Sequence, residues 1–453
     1  MAANRQSKME ESAWVAEVEA AVADVGASEQ ESAQWRLHSI YRVPACIKDL
    51  NRKAYQPQVV SLGPFHHGEP QLLPMDAHKR RALVHFLRRA RRPLAEFAAA
   101  VAGASERVEG AYQGLGDEWR GGAGGEERFV ELMVTDGCFL LEVMRTATGW
   151  EPNDYAGDDP VFSAHGLLYT VPYIRRDMLM IENQLPLLVL ERLIAVESGK
   201  DGNEEVINRL VLLFLSPASW PLTTGVGLAL HPLDILRRSL LYGPSPAPRL
   251  PPLPDHASPP DDDTIRSAEE LYEAGVRFKR SPTSSLLDIR FNRVTGTLYL
   301  PAIAVDDTTE YMLLNLMAFE RLHAGAGGGN DVTAYVFFMD NMVDSARDVA
   351  ILASRGRGVV RNALGSDKAV ARLFNGLSRD VVLEPRSALD GVHREVSAYC
   401  RKRRNRWRAN LVHTYFRSPW SFLSLAAAVF LLVMTVLQTV YTVLPYYDGG
   451  GNS

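Results

Sequence analysis

The sequence predicts a mainly α fold: a helical globular domain with a small β-hairpin or sheet insertion and one C-terminal transmembrane helix. Three observations predict it. Apolar residues recur at helical spacing over most of the chain, most clearly as Phe129, Leu132, Met133, Phe139, Leu140, Val143 and Met144. Strand-like runs are confined to the neighbourhood of residues 286–305. Residues 420–444 form a run of 25 without a charge.

In chain order, residues 1–37 read as a weakly ordered lead-in, with one amphipathic helix through Trp14, Val15, Val18 and Ala21. Compact structure begins at Ile40-Tyr41-Arg42-Val43-Pro44, and Gly63-Pro64 and His67-Gly68 mark turns. A helix follows from Asp76. Leu83, Phe86, Leu87, Leu94 and Phe97 are its apolar positions, and Lys79, Arg80, Arg81, Arg88, Arg89, Arg91 and Arg92 crowd its polar side. Pro93 should kink or interrupt it. The next helix spans 126–146, with Asp136 placed on its apolar stripe. Segment 174–198 carries Asp177 and Glu182 ahead of Asn183-Gln184-Leu185-Pro186, and 206–215 is apolar nearly all round.

Residues 244–263 contain eight prolines and end in Asp261-Asp262-Asp263, the composition of an extended linker. They divide a helical half, 38–243, from a second half, 264–418. There 286–290 and 297–305 read as strands with Thr295-Gly296 as the turn, before helices at 310–323, 331–354, 367–377 and from Ala388 onward. No repeat of fixed period occurs.

The uncharged run would be roughly 37 Å long as a helix, enough to cross a ~30 Å hydrocarbon core. Trp420 and Phe422 at one end and Tyr441 and Tyr446 at the other match interfacial aromatic belts. Arg401, Lys402, Arg403, Arg404, Arg406 and Arg408 precede it, whereas the tail after it carries only Asp448. The positive-inside bias gives a single-pass tail anchor at 419–445, a short tail at 446–453 and the bulk of the chain in the cytosol.

Composition narrows the function classes. At 453 residues, with 46% hydrophobic and 23% charged, the chain holds two or three folded units and is not disordered wholesale. A net charge of −5 argues against a nucleic-acid partner. Cys46, Cys138 and Cys400 form no CxxC and no even set, so neither a disulfide framework nor a zinc site is implied. The polar start lacks a secretory apolar run, and no Asn-x-Ser/Thr acceptor occurs.

Several blocks, in order, resemble the plant family of domain-of-unknown-function 247 proteins. They are Ile40-Tyr41-Arg42-Val43-Pro44, Tyr55-Gln56-Pro57, Ser61-Leu62-Gly63-Pro64-Phe65-His66-His67-Gly68 and Met75-Asp76-x-x-Lys79. Asp136-Gly137-Cys138-Phe139-Leu140-Leu141-Glu142 and the Asp177–Pro186 segment complete the set. The resemblance covers roughly 38–445. It implies a plant membrane protein with a mostly helical fold and no established activity. Some grass members are linked to pollen–stigma self-recognition, which implies partner recognition.

Candidate chemistry centres on acids. Asp136, Asp177 and Glu182 sit in apolar surroundings, where an unpaired carboxylate is costly. One reading is a structural network in which they pair with Arg42, Lys79, Arg175 or Arg176. The alternative is a membrane-tethered hydrolase using two of them as acid and base. Adjacent His66 and His67 point to opposite faces of an extended segment, so with Glu69 and His78 they read as turn residues and no metal is expected. There is no GxxxxGK[ST], GxSxG or HExxH, hence no catalytic residue and no cofactor is assigned. The function expected is a tail-anchored protein-interaction module with a protein partner, its contacts carried by loops at 103–127, 148–165, 244–263 and 323–331.

Overall fold

The computed structural model describes residues 35–448 except 122–123, 151–152, 216–226, 243–265, 324–328, 355–357, 380–388, 403, 406 and 408–418, together with residues 14–15, 18 and 22. Most of the lead-in helix, the 244–263 linker, and Arg403, Arg406 and Arg408 therefore lie outside the described residues.

Helices dominate. In order they are α1 (Ala45–Lys48), α2 (Pro74–Ala90), α3 (Leu94–Ala102), α4 (Ser105–Gly110), α5 (Gly125–Thr148), α6 (Ala164–Tyr169), α7 (Val171–Asp177), α8 (Leu187–Ser198), α9 (Glu204–Leu215) and α10 (Pro232–Tyr242). After the linker come α11 (Ala268–Glu273), β1 (Arg277–Arg280), β2 (Arg290–Asn292), β3 (Thr297–Leu300), β4 (Ile303–Val305), α12 (Thr309–Leu322), α13 (Asp331–Met342) and α14 (Ala346–Ala353). The chain continues through β5 (Val360–Asn362), α15 (Asp367–Leu377), α16 (Asp390–Cys400) and α17 (Pro419–Asp448).

Proline and capping chemistry set several boundaries. Pro74 occupies the first turn of α2, where its missing N–H costs nothing. Pro93 breaks the helix rather than bending it: α2 ends in a left-handed Arg91 (φ 52°), and α3 starts at Leu94. The helix expected over 331–354 is two, because Ser345 and Asp348 form a reciprocal capping box that starts α14 afresh.

The sheets are small. β1 pairs parallel with β3 (Phe278 opposite Leu298), and β2 pairs antiparallel with β3 (Phe291 opposite Leu298). Thr295-Gly296 thus turns the hairpin as expected, but the partner strand is 290–292, not 286–290. The expected 297–305 strand stops at Pro301, which has no N–H for a ladder. Its second part, β4, pairs parallel with β5 in a separate sheet. β1 was not foreseen.

Two hydrophobic clusters fill the interior. The first, among α2–α9, centres on Phe86, Phe97, Phe129, Phe139 and Phe214, with α5 buried nearly all round in its second half. A Cβ on Gly137 would lie 2.6 Å from Leu193 Cδ1, so glycine there is what lets α5 and α8 approach. The second cluster joins the sheets to α10–α16 around Phe278, Leu298, Phe319, Tyr335 and Phe374. Residues 40–62 and 178–185 run along the seam. Ile40, Val60, Leu62, Met178 and Leu185 belong to the first cluster, and Tyr41, Val43, Tyr55, Leu179 and Ile181 to the second.

The C-terminal expectation needs correction. The uncharged run does form a helix, α17. Among the described residues, however, no helix is long and apolar enough to cross a membrane. The transmembrane, single-pass, tail-anchored reading does not stand, nor do the membrane partner, membrane location and cytosolic orientation drawn from it. Tyr441 is exposed, and the side chains of Trp420, Phe422 and Tyr446 lie outside the described set. The juxtamembrane role of Arg401, Lys402 and Arg404 falls with the anchor. Lys402 Nζ lies 5.4 Å from the Tyr399 ring centroid, a local cation–π contact.

Candidate functional site

An irregular segment with no strand beside it must still satisfy its buried N–H groups. Residues 58–63 form such a segment, and side chains from three other elements supply the acceptors. Asp177, at the end of α7, accepts the N–H groups of Gln58 (3.0 Å), Val59 (2.6 Å) and Val60 (3.0 Å) on Oδ2. Asn183 accepts Leu62 N–H at 2.7 Å and donates to the carbonyls of Val60 and Asp177, both at 3.0 Å. Asp136, from the middle of α5, accepts Gly63 N–H at 2.8 Å. Its other oxygen lies 2.7 Å from Lys79 Nζ on α2, and Lys79 also donates to Ser61 Oγ at 3.2 Å. Side chains here do the work of a β-ladder.

The sequence Glu182-Asn183-Gln184 gives one clamp per residue. Glu182 accepts Val43 N–H (2.6 Å) and Lys48 Nζ (2.6 Å), and His66 Nε2 stands 3.4 Å away. Asn183 holds the 58–63 segment. Gln184 accepts Leu233 N–H at 3.0 Å, fixing the start of α10, while its amide donates to the carbonyls of Met178 and Met180, both at 2.7 Å. Three consecutive polar side chains therefore bind three separate stretches of chain.

Electrostatics divide the acids. Burial pushes the Asp136 carboxyl above the usual carboxylate range, opposed by the Lys79 ammonium and Gly63 N–H. Burial likewise raises Asp177 against the pull of its three backbone donors. For Glu182, burial alone would raise the carboxyl, but hydrogen bonds from His66, Lys48 and Val43 N–H hold it below the usual range. The three carboxylates do not converge on a common reaction centre: each is spent on backbone N–H groups or a cation of its own. No observation favours the hydrolase alternative.

Of the expected cations, Lys79 meets Asp136. Arg42 instead lies over the Phe65 ring (4.3 Å) and Arg175 over Phe214 (5.0 Å), while Arg176 bonds Gln58 and lies 5.0 Å from the rings of Tyr173 and Tyr311. Lys48, Asn183 and Gln184 were missed as site residues. The signal was present, since a run of three polar residues inside Met178–Leu190 is as anomalous as the acids. His66 Nδ1 pairs with Glu69 at 2.6 Å, His67 meets Trp119 edge-on, and His78 bonds Arg81 at 2.8 Å. Among the described residues no group of three or more His, Cys, Asp or Glu is placed to hold a metal ion.

Gly63 sits where the clamp is tightest. Its φ is +71°, and a Cβ would lie 2.6 Å from the Tyr112 hydroxyl and 3.0 Å from the Gln184 carbonyl. Gly63→Ala should therefore destabilise the protein by about 2 kcal/mol or more in a denaturant titration. A variant within about 0.5 kcal/mol of wild type would show that the loop moves freely.

Comparison with known proteins places most of the chain in one family. A family described as "Plant protein of unknown function", DUF247, matches residues 40–434. UPF0481 protein At3g47200 of Arabidopsis thaliana is 31% identical over 455 residues, covering 93% of this chain and 90% of that protein. Putative UPF0481 protein At3g02645, also from Arabidopsis thaliana, is 35% identical over 178 residues, covering 39% of this chain and 32% of that one. No solved structure matches. The blocks at 40–68, 75–79, 136–142 and 177–186 are the segments that meet in the clamp, and with residues 40–434 matched the chain belongs to the plant DUF247 family.

Proposed function

We propose that this chain is a protein-recognition module: a helical scaffold, locked by the carboxylate clamp, that presents a preformed surface to a protein partner. The observation that carries it is the outer face of α6 and α7. His165, Leu168, Tyr169, Pro172 and Tyr173 recur at helical spacing and are all exposed, with Leu168 at 64%, Tyr169 at 59% and Tyr173 at 48%. Thr170 between the helices keeps right-handed torsions (φ −100°, ψ −46°), so the spacing carries across the junction. No charge interrupts the stripe. Exposed tyrosines flanked by leucine and proline are the composition of interface centres, where a large amphipathic ring is buried at little entropic cost.

Proximity labelling in plant cells, followed by binding measurements on the captured partner, tests the reading. Tyr169→Ala/Tyr173→Ala should weaken that partner by roughly 30-fold or more, the scale of losing an aromatic hot spot of ~2 kcal/mol. Unchanged labelling and unchanged affinity would remove this face from the proposal.

A further inference from the structure

The cations of α2 separate into two sets. Lys79, Arg81 and Arg89 turn inward, to Asp136 (2.7 Å), Asp159 (2.7 Å) and Glu142 respectively. Arg80, Arg88 and Arg91 face outward, exposed, and make no ion pair among the described residues. They share one line with three more exposed positions. Leu73, Ala77, Arg80, Val84, Arg88 and Arg91 follow spacings of four, three, four, four and three residues, a stripe along the whole helix about 27 Å long.

Ordinary solvation does not account for this line. A solvated helix face mixes signs so that i,i+4 partners attract, whereas this stripe holds no acid and sets Arg88 and Arg91 one turn apart, with Arg80 two turns before Arg88. Attraction to the negative end of the helix explains cations in the last turn, Arg88 and Arg91. It does not explain Arg80 in mid-helix, nor Leu73 (48% exposed) and Val84 (44% exposed) left bare between the cations. Arg91 is also the one non-glycine residue with positive φ among the described residues, a conformation that normally selects glycine. All this belongs to a chain whose net charge is −5.

From charge complementarity we infer that the α2 stripe docks an acidic amphipathic helix of a partner protein. The partner's carboxylates pair with Arg80, Arg88 and Arg91, and its aliphatic side chains cover Leu73, Ala77 and Val84. Guanidinium groups suit this role because they take carboxylates in a bidentate fork and shed water more readily than ammonium. The inference rests on the protein-recognition reading and adds the chemical class of partner.

The test uses the full chain and a fluorescent helical peptide of about 18 residues, long enough to span the stripe, with Glu and Leu on one face. A counterpart replaces each Glu with Gln. The Glu peptide should bind roughly tenfold tighter or more, and progressively less well as salt is added. Arg80→Glu/Arg88→Glu/Arg91→Glu should abolish the difference, while Lys279→Glu/Arg361→Glu/Arg372→Glu should preserve it. If the first variant fails to fold, photo-crosslinks from the Glu peptide to wild type decide, and they should fall within residues 73–94. Equal binding of the two peptides, or crosslinks elsewhere, would overturn the inference. So would tighter binding to phosphatidylserine vesicles or single-stranded RNA, or a self-association lost only in the first variant. If the arginine variant keeps every partner that Tyr169→Ala/Tyr173→Ala loses, the stripe is refuted and the recognition reading stands. If neither variant loses a partner, both fail.

Discussion

Lys79→Met will lower the stability of this protein by roughly 3–5 kcal/mol, a fall in thermal midpoint on the order of 10 °C. The reason is the asymmetry of a buried pair. Asp136 is fully buried and Lys79 nearly so. Methionine fills the space of the lysine stem but leaves a carboxylate in the core with only Gly63 N–H beside it. Asp136→Asn should be costly in the opposite sense, since it keeps the Gly63 bond and strands the ammonium. Lys79→Met/Asp136→Asn removes both charges while the Asn oxygen still accepts Gly63 N–H. The double variant should lie closer to wild type than the Lys79 single, a coupling of about 2 kcal/mol. Thermal and urea melts of the four proteins measure it. Single variants that each lose under about 1 kcal/mol and add independently would reduce the pair to the standing of a surface salt bridge.

His231 should make the protein sensitive to acid between pH 6.5 and about 4. Its ring is fully buried immediately before α10, in edge contact with Phe319. Nε2 bonds the Ser39 carbonyl at 3.0 Å, and Nδ1 accepts Asp234 N–H at 3.2 Å. That pattern fits only the neutral ring, because a proton on Nδ1 would face the Asp234 N–H. Burial pushes the pKa down to about 4, against the pull of the Asp234 carboxylate. A folded pKa below the unfolded value of 6.5 means full stability above 6.5, lost as pH falls towards about 4 and constant below. The loss is roughly 3 kcal/mol at 1.36 kcal/mol per unit. Glu182 acts in a lower window: its folded pKa is held below 4.5, so its contribution disappears only as pH falls beneath that value. Urea titrations at pH 7.5 and 4.5 bracket the window, in which burial also lowers His38, His78 and His323, and a variant assigns the share of His231. His231→Gln, which can still donate to Ser39, should narrow the gap between the two pH values by most of the expected amount. An unchanged gap would assign the sensitivity elsewhere.

How far the sequence could be read depended on whether a signal was local. Helix 125–148 was legible because its apolar period is continuous, and 367–377 because Ser366 caps it and its burial follows one face. The break at Ser345 was a local signal overlooked: a capping box competes with an apolar run and wins. β1 was not readable, since Arg277-Phe278-Lys279-Arg280 has one apolar residue and is a strand only because β3 lies beside it. At the site, the burial of Asp136, Asp177 and Glu182 could be foreseen from their apolar neighbours. Of their partners only Lys79, which meets Asp136, was among those expected. Backbone N–H groups 73 to 139 residues away carry no sequence mark, and Lys48 looks like any surface lysine. The uncharged run at the C-terminus shows the reverse error: its length, aromatic flanks and basic approach were read together as a membrane span, and no described helix is long and apolar enough to be one.

The seam has a consequence for the order in which the chain can become complete. Asn51 donates to Glu310 at 2.9 Å, and Asn315 donates to the Ala54 carbonyl at 2.7 Å while accepting Ile181 N–H at 2.9 Å. On a ribosome, which releases the chain from its N-terminus at about 5–20 residues per second, the first cluster can assemble once α9 has emerged. Tyr41 and Tyr55 cannot settle fully with it, because the Tyr41 hydroxyl pairs with His323 and the Tyr55 hydroxyl donates to the Leu314 carbonyl on α12. They stay uncovered for roughly another hundred residues of translation, some 5–20 seconds, as a greasy strip on an otherwise folded intermediate. The earliest-made segment of the domain is among the last to find its seat, and nascent-chain chaperones would have that strip to hold in the meantime.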